Sequence, residues 1–98
     1  MITHSQIRNI RSLSLKKNRK KTSLFVVEGE KIVHDLLQSD YHLEQIFATD
    51  DWTGKNENFK HCFTRVTSKQ LARISHLKTP NKVLALVKIP KENFILDS

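Results

Sequence analysis

The sequence VLALV at residues 83–87 is an uninterrupted apolar run, and LFVV at residues 24–27 is a second one. Continuous apolar runs rich in β-branched residues are typical of strands that are covered on both faces. Two such runs in a chain of 98 residues predict a sheet with helices packed on each side of it. We expect both runs to lie centrally in that sheet.

Helical patterns flank the two runs. Residues 4–15 carry an apolar residue at every third position, and Thr3 and Gln6 have the spacing of a capping box. Helices are also predicted over residues 30–38 and 69–76, the latter with Ser68 as its N-cap. The stretch KKNRKK at residues 16–21 is predicted to be a polar connector.

Two further strands are predicted, at residues 43–48 and 63–66, with the second at a sheet edge. Residues 49–51 and 79–81 have turn chemistry, and residues 53–61 fit a loop or a frayed helical turn equally well. The alternation of strands and helices predicts one three-layer α/β/α domain with a mostly parallel four-stranded sheet. The carboxyl ends of its strands, where such sheets bind ligands, would present Glu28, Gly29, Asp50, Asp51 and Thr67.

The excess of positive over negative charge lies at one end of the chain. Residues 1–23 carry seven basic side chains and no acidic one, whereas the remaining 75 residues carry ten of each. Such segregation indicates a polyanionic partner, with nucleic acid the first candidate and an acidic membrane surface the second. The alternative is a solvated charge run that only keeps the domain soluble.

Composition excludes several classes of protein and site. No apolar run is long enough to span a membrane, and no secretory signal is visible. The two glycines cannot build a phosphate-cradling loop. Cys62 is the only cysteine, which indicates a reducing cytoplasm. His61 and Cys62 would point to opposite faces of a strand, and a turn or a helix N-terminus explains Asp50 and Asp51, so we predict no metal site and no catalytic residue.

The basic residues are the candidate binding site. Arg8 and Arg11 share a helix face, placed roughly opposite the apolar stripe, and would extend the basic run onto ordered structure. No aromatic residue is interleaved with the run, so phosphate contact is favoured over base stacking. The first predicted cluster is Arg8, Arg11, Lys16, Lys17, Arg19, Lys20 and Lys21. Lys78, Asn81 and Lys82 form a second basic cluster, which a plain exposed turn explains equally well.

Four stretches, in order along the chain, resemble a known family. They are IRNIRSL at residues 7–13, FVVEGEK at 25–31, IFAT at 46–49, and residues 74–87 with the sequence KTPNKVLALV at their end. The chain resembles the N-terminal substrate-binding domain of the SpoU/TrmH-type RNA ribose 2′-O-methyltransferases of the SPOUT superfamily.

The resemblance implies a fold related to the ribosomal proteins that bind kink-turn RNA. Such a domain presents structured RNA, often ribosomal, to a knotted catalytic domain that uses S-adenosylmethionine. Glu28 and Gly29 would form a sharp strand-to-helix turn, with close packing or a positive φ at the glycine. Residues 1–90 would be the RNA-binding domain and residues 91–98 the start of a linker to a catalytic domain absent from this chain. The chain alone is then expected to be non-catalytic and to bind no cofactor, and its parent to be a cytoplasmic homodimer.

Two alternatives remain open. The chain could be a stand-alone structural RNA-binding protein of the kink-turn-binder type, a possibility that the gene beyond Ser98 would decide. It could also be a protein-interaction module whose acid-poor amino terminus is a targeting segment. Ile7, Ile10 and Leu13 argue against the second alternative because they predict a docked helix within that segment.

Overall fold

The computed structural model of the chain describes residues 2–55, 63–79 and 81–90. The predicted strands and helices are all present, although all three predicted helices are shorter and two further helices occur within the described ranges. The elements are α1 (His4–Ser12), α2 (Lys16–Thr22), β1 (Leu24–Glu28), α3 (Glu30–Leu37), β2 (Leu43–Ala48), α4 (Asp50–Lys55), β3 (Phe63–Arg65), α5 (Ser68–Ile74) and β4 (Val83–Lys88).

The four strands form one mixed sheet in the order β1-β4-β2-β3. β4 is antiparallel to both β1 and β2, and only β2 and β3 pair in parallel. The prediction of a mostly parallel sheet is therefore wrong. The central position predicted for residues 83–87 and the edge position predicted for β3 are confirmed, whereas β1 lies at the opposite edge rather than centrally.

The path of α5 explains the direction of β4. The segment before α5 is tied to the end of β2, because Val66 N donates to Ala48 O at 2.9 Å. The residue after α5, Ser75, reaches the end of β1 and donates its hydroxyl to Glu28 Oε1 at 2.6 Å. The seven residues of α5 span about 10 Å, comparable with two to three strand spacings of about 4.8 Å. The chain thus crosses the sheet along its carboxyl edge, and β4 must start from that edge.

Two apolar cores cover the two faces of the sheet. The core under α1 and α5 contains buried residues of both helices with Phe47, Leu84 and Leu86. The core under α3 and α4 contains Val33 and Trp52 with the alternate residues of β2 and β4. The α/β/α layering is therefore as predicted.

The edge position of β1 follows from the same two cores. Leu24 and Val26 pack against the first core, whereas Phe25 and Val27 belong to the second. An apolar run therefore reports that both faces of a strand are covered, but it does not report whether a neighbouring strand pairs on each side. This difference accounts for the wrong prediction.

The segment predicted as a connector is helical, and of the two structures predicted for Asp50 and Asp51, a turn or a helix N-terminus, the second is observed. Residues 16–21 form most of α2 rather than a connector, and Asp50 and Asp51 form the first turn of α4. Trp52 is buried behind them, edge-on to Phe63 with 5.3 Å between ring centroids. Residues 56–62, which include His61 and Cys62, and the predicted linker at 91–98 lie outside the described residues. None of the helices in the described ranges has the length and hydropathy needed to cross a membrane.

Candidate nucleic-acid interface

One face of α2 carries four lysines. At about 100° per residue, Lys16, Lys17, Lys20 and Lys21 fall within an arc of about 140°. All four side chains are exposed. We call this surface, formed by these four residues, the lysine face. The helix converts a basic stretch of sequence into a compact cluster of cations.

The opposite side of α2 anchors it to the end of α1. Asn18 Nδ2 donates to Ser12 O at 2.9 Å, and Arg19 Nη1 donates to Leu13 O at 2.8 Å and to Ser14 O at 3.0 Å. These bonds satisfy carbonyl groups that the end of α1 leaves without helical partners. Arg19, predicted to bind RNA, therefore holds the α1–α2 turn together.

The lysine face carries an electrostatic cost. Its i, i+4 pairs, Lys16 with Lys20 and Lys17 with Lys21, are like-charged and destabilise a helix. The first turn of α2 contains no acidic residue. None of the four lysines forms an ion pair with any acidic group that the structure describes. A polyanion bound on this face would relieve the repulsion.

Arg8 and Arg11 of α1 are both exposed, but they are directed differently. Arg11 Nη1 donates to the backbone carbonyl of Arg73, at the end of α5, at 2.9 Å. At about 100° per residue, Arg11 lies beside Ile7 on the helix, whereas Arg8 lies further round toward solvent. The predicted placement of both arginines opposite the apolar stripe is wrong for Arg11.

A hydrogen-bond network that the sequence does not predict lies at the carboxyl edge of the sheet. The carboxylate of Glu28 accepts bonds from the Ser75 hydroxyl and from His76 N, the latter at 2.8 Å, and Nε2 of His76 donates to Ile10 O at 3.0 Å. The network joins β1, the segment after α5, and α1. No local sequence pattern predicts this network, because its residues come from three distant parts of the chain.

Glu28 and Gly29 also form the turn between β1 and α3. Gly29 has φ 126°, a backbone conformation that side chains rarely adopt, and a Cβ there would meet Ile32 Cγ2 at 3.4 Å. Its N–H donates to Val83 O at 3.2 Å. The turn is thereby fixed against the start of β4.

The second basic cluster has a different electrostatic environment. Lys82 Nζ lies 3.9 Å from Asp51 Oδ2, and both residues line a cleft of about 470 Å3 together with Thr49, Asp50, Thr67 and Asn81. Lys78 and Asn81 are exposed. The acidic residues lower the positive potential here. Within the described part of the chain, no group of three or more potential metal-ligating side chains occurs.

The predicted site residues do not form one cluster. The α2–β1 junction is tied to the end of β4, since Ile89 N donates to Ser23 O at 2.9 Å, whereas Lys82 precedes β4 at its other end. The length of the β1–β4 pair, about 16–20 Å, separates them. The lysine face and the Lys78–Lys82 segment are therefore two surfaces.

Comparison with known proteins gives consistent matches. The sequence profile of the MRM3-like substrate-binding domain family matches residues 4–85. The chain is 24% identical over 91 residues to the 23S rRNA (guanosine(2553)-2′-O)-methyltransferase RlmP of Bacillus subtilis, covering 91% of the chain and 36% of that protein.

Solved structures share the fold. A TrmH-family RNA methyltransferase from Porphyromonas gingivalis superposes with a TM-score of 0.79 at 25% identity, covering 93% of this chain and 37% of that one. An AdoMet-bound rRNA methyltransferase from Sinorhizobium meliloti gives 0.71 at 22% identity, with coverages of 92% and 35%. The chain thus spans about a third of the length of these proteins.

Proposed function

The chain belongs to the MRM3-like substrate-binding domain family, and we propose that it is the RNA-recognition domain of a SpoU/TrmH-type ribose 2′-O-methyltransferase. In this role it binds structured RNA, ribosomal RNA first among the candidates, by contacting phosphates. The proposal draws on the family, on the rRNA methyltransferase that the chain resembles in sequence, and on the basic surface of α1 and α2.

The lysine face is the observation that carries the proposal. Its four cations lie on one side of a helix whose other side is fixed by Asn18 and Arg19. A phosphate backbone is a regular array of negative charges, and lysines held at helical spacing can contact several of them at once. Arg8 adds a further exposed cation on α1. Lys78, Asn81 and Lys82 provide a second, weaker contact because Asp51 partly neutralises Lys82.

We also propose a domain arrangement for the longer parent protein. We place residues 1–90 in the binding domain and residues 91–98 at the start of a linker to a catalytic domain in cis, which binds S-adenosylmethionine. The size of the relatives supports this arrangement, since the chain matches only 36% of the Bacillus subtilis enzyme. The parent acts as a homodimer in the cytoplasm, in keeping with a single cysteine.

The test measures binding of the purified chain to a fluorescein-labelled RNA stem-loop at several salt concentrations. Replacing Lys16, Lys17, Lys20 and Lys21 together by Gln removes up to four phosphate contacts. The slope of log K against log salt should then flatten by about 3, at roughly 0.7–0.9 for each contact. An unchanged slope and affinity would show that the lysine face is only a solvated surface.

A matched pair of single substitutions distinguishes the effect of where a positive charge lies from the effect of the net charge of the chain. Lys17→Gln and Arg65→Gln each remove one exposed positive charge, but Arg65 lies on β3, at the sheet edge farthest from β1. Only Lys17→Gln should weaken binding appreciably. Equal losses for the two variants would indicate a response to overall charge and would contradict a defined interface.

A further inference from the structure

We propose that Arg73, the penultimate residue of α5, is a phosphate-binding residue that continues the basic surface of α1 onto α5. The inference deepens the proposed function and rests on it, since the ligand is the RNA phosphate backbone. Arg73 is not among the binding residues predicted from the sequence, because it lies 62 residues beyond Arg11. The fold brings the two arginines together.

Two hydrogen bonds connect the ends of α1 and α5. Arg11 Nη1 donates to the backbone carbonyl of Arg73 at 2.9 Å, and His76 Nε2 donates to the carbonyl of Ile10 at 3.0 Å. The first bond brings the Arg11 guanidinium to the backbone of Arg73, so the two arginines are neighbours in space. Arg8 lies one helical turn before Arg11. Arg11 and Arg73 therefore meet at the seam between α1 and α5, and Arg8 lies beside this seam on the solvent side of α1.

Within the described part of the chain, no acidic residue is available to neutralise the arginines at this seam. The carboxylate of Glu28 reaches this end of α5, but Ser75 and His76 each donate a hydrogen bond to one of its oxygens. Among the described residues, no acidic group lies within ion-pair distance of Arg11 or Arg73. Both side chains are exposed.

The two guanidinium groups have donors left for an anion. The structure assigns Arg11 one hydrogen bond out of the five that a guanidinium can donate. Arginine binds phosphate oxygens in a bidentate manner, which suits a site at the junction of two helices. A cation near a helix carboxyl terminus is also favoured by the helix dipole, and this alone explains one arginine at the end of α5. The Arg11 bond likewise satisfies a carbonyl at the end of α5 that has no helical partner, and it uses only one of the Arg11 donors.

Arg73→Gln tests the proposal without disturbing the seam. The acceptor of the Arg11 bond is the backbone carbonyl of Arg73, so the bond survives the substitution. Loss of one phosphate contact should weaken binding of the labelled stem-loop about five- to eightfold at 0.1 M salt and flatten the salt slope by about 0.7–0.9. Arg65→Gln, which removes the same charge at the far edge of the sheet, should change neither value appreciably.

The outcomes separate this inference from the proposed function. If the unmodified chain binds the stem-loop but Arg73→Gln behaves like Arg65→Gln, the Arg73 site is overturned and the lysine face stands. If binding falls for Arg73→Gln but not for the fourfold lysine variant, Arg73 stands and the lysine face is overturned. If the unmodified chain does not bind RNA, both are overturned. Thermal unfolding of Arg73→Gln should match that of the unmodified chain, and a large drop in its midpoint would make the residue structural.

Discussion

The carboxylate of Glu28 accepts a hydrogen bond from the backbone N–H of His76, with 2.8 Å between Oε2 and the nitrogen. Glu28 ends β1 and His76 follows α5, so the bond ties an edge strand to the segment that leads into the central strand. Oε1 accepts the hydroxyl of Ser75, and the ring of His76 continues the connection to α1. The half-buried carboxylate of Glu28 is therefore the centre of a network that connects β1, the segment after α5, and α1.

Glu28→Ala should lower the free energy of unfolding by about 2 kcal/mol, because it removes two charge-assisted hydrogen bonds and leaves the nearly buried Ser75 hydroxyl without its acceptor. Urea unfolding followed by circular dichroism measures the loss. Glu44→Ala, an exposed glutamate of β2, is the control and should change stability far less. Similar losses for both variants would mean that the Glu28 network contributes nothing specific.

Thr67→Ala should cost about 1 kcal/mol of stability, whereas Ser68→Ala should be nearly neutral. The Thr67 hydroxyl accepts from Gln70 N at 3.1 Å, and Gln70 Oε1 accepts from Thr67 N at 2.9 Å, which is a complete capping box. The N-cap predicted from the sequence is Ser68, whereas the N-cap in the structure is the preceding residue, Thr67. The same unfolding measurement on both variants decides the matter, and a larger loss for Ser68→Ala would contradict the structure.

Lys16→Gln combined with Lys17→Gln should raise the midpoint of thermal unfolding by about 2–4 °C at low salt while weakening RNA binding. The change removes both like-charged i, i+4 pairs of α2 and two cations from its positive amino terminus. Because salt screens these interactions, the gain should shrink in high salt. Scanning calorimetry at two salt concentrations tests this, and a fall in the midpoint would show that the lysine face does not strain the helix.

The sequence predicts the layers of this fold better than its connections. The apolar runs that became β1 and β4, and the stripe of Ile7, Ile10 and Leu13, are local patterns that record which faces are buried. Strand direction is not local. It depends on α5 crossing the sheet edge instead of returning to the amino ends, a path that the bonds of Ser75 and His76 to Glu28 reveal.

The sequence predicts which basic residues are present in the basic surface, but it does not predict how the fold arranges them. No apolar periodicity marks residues 16–21, and the helix there depends on the bonds of Asn18 and Arg19 to α1. Those bonds also turn one predicted contact residue inward. Arg73 was beyond reach because its role depends on two helices meeting. The missing information was thus a set of side-chain bonds across a turn for α2, and a contact between residues 62 positions apart for Arg73.

The position of β4 has a consequence for the order in which the chain can acquire its structure. β1 and β2 do not pair with each other; both pair with β4, which is the last described strand. During synthesis, β1 and β2 therefore cannot be joined in one sheet until residues 83–88 have been made. The pairings of β1 with β4 join residues about 60 positions apart, and such distant contacts slow folding. Until then the core under α1 and α5 is also incomplete, because Leu84 and Leu86 of β4 are part of it.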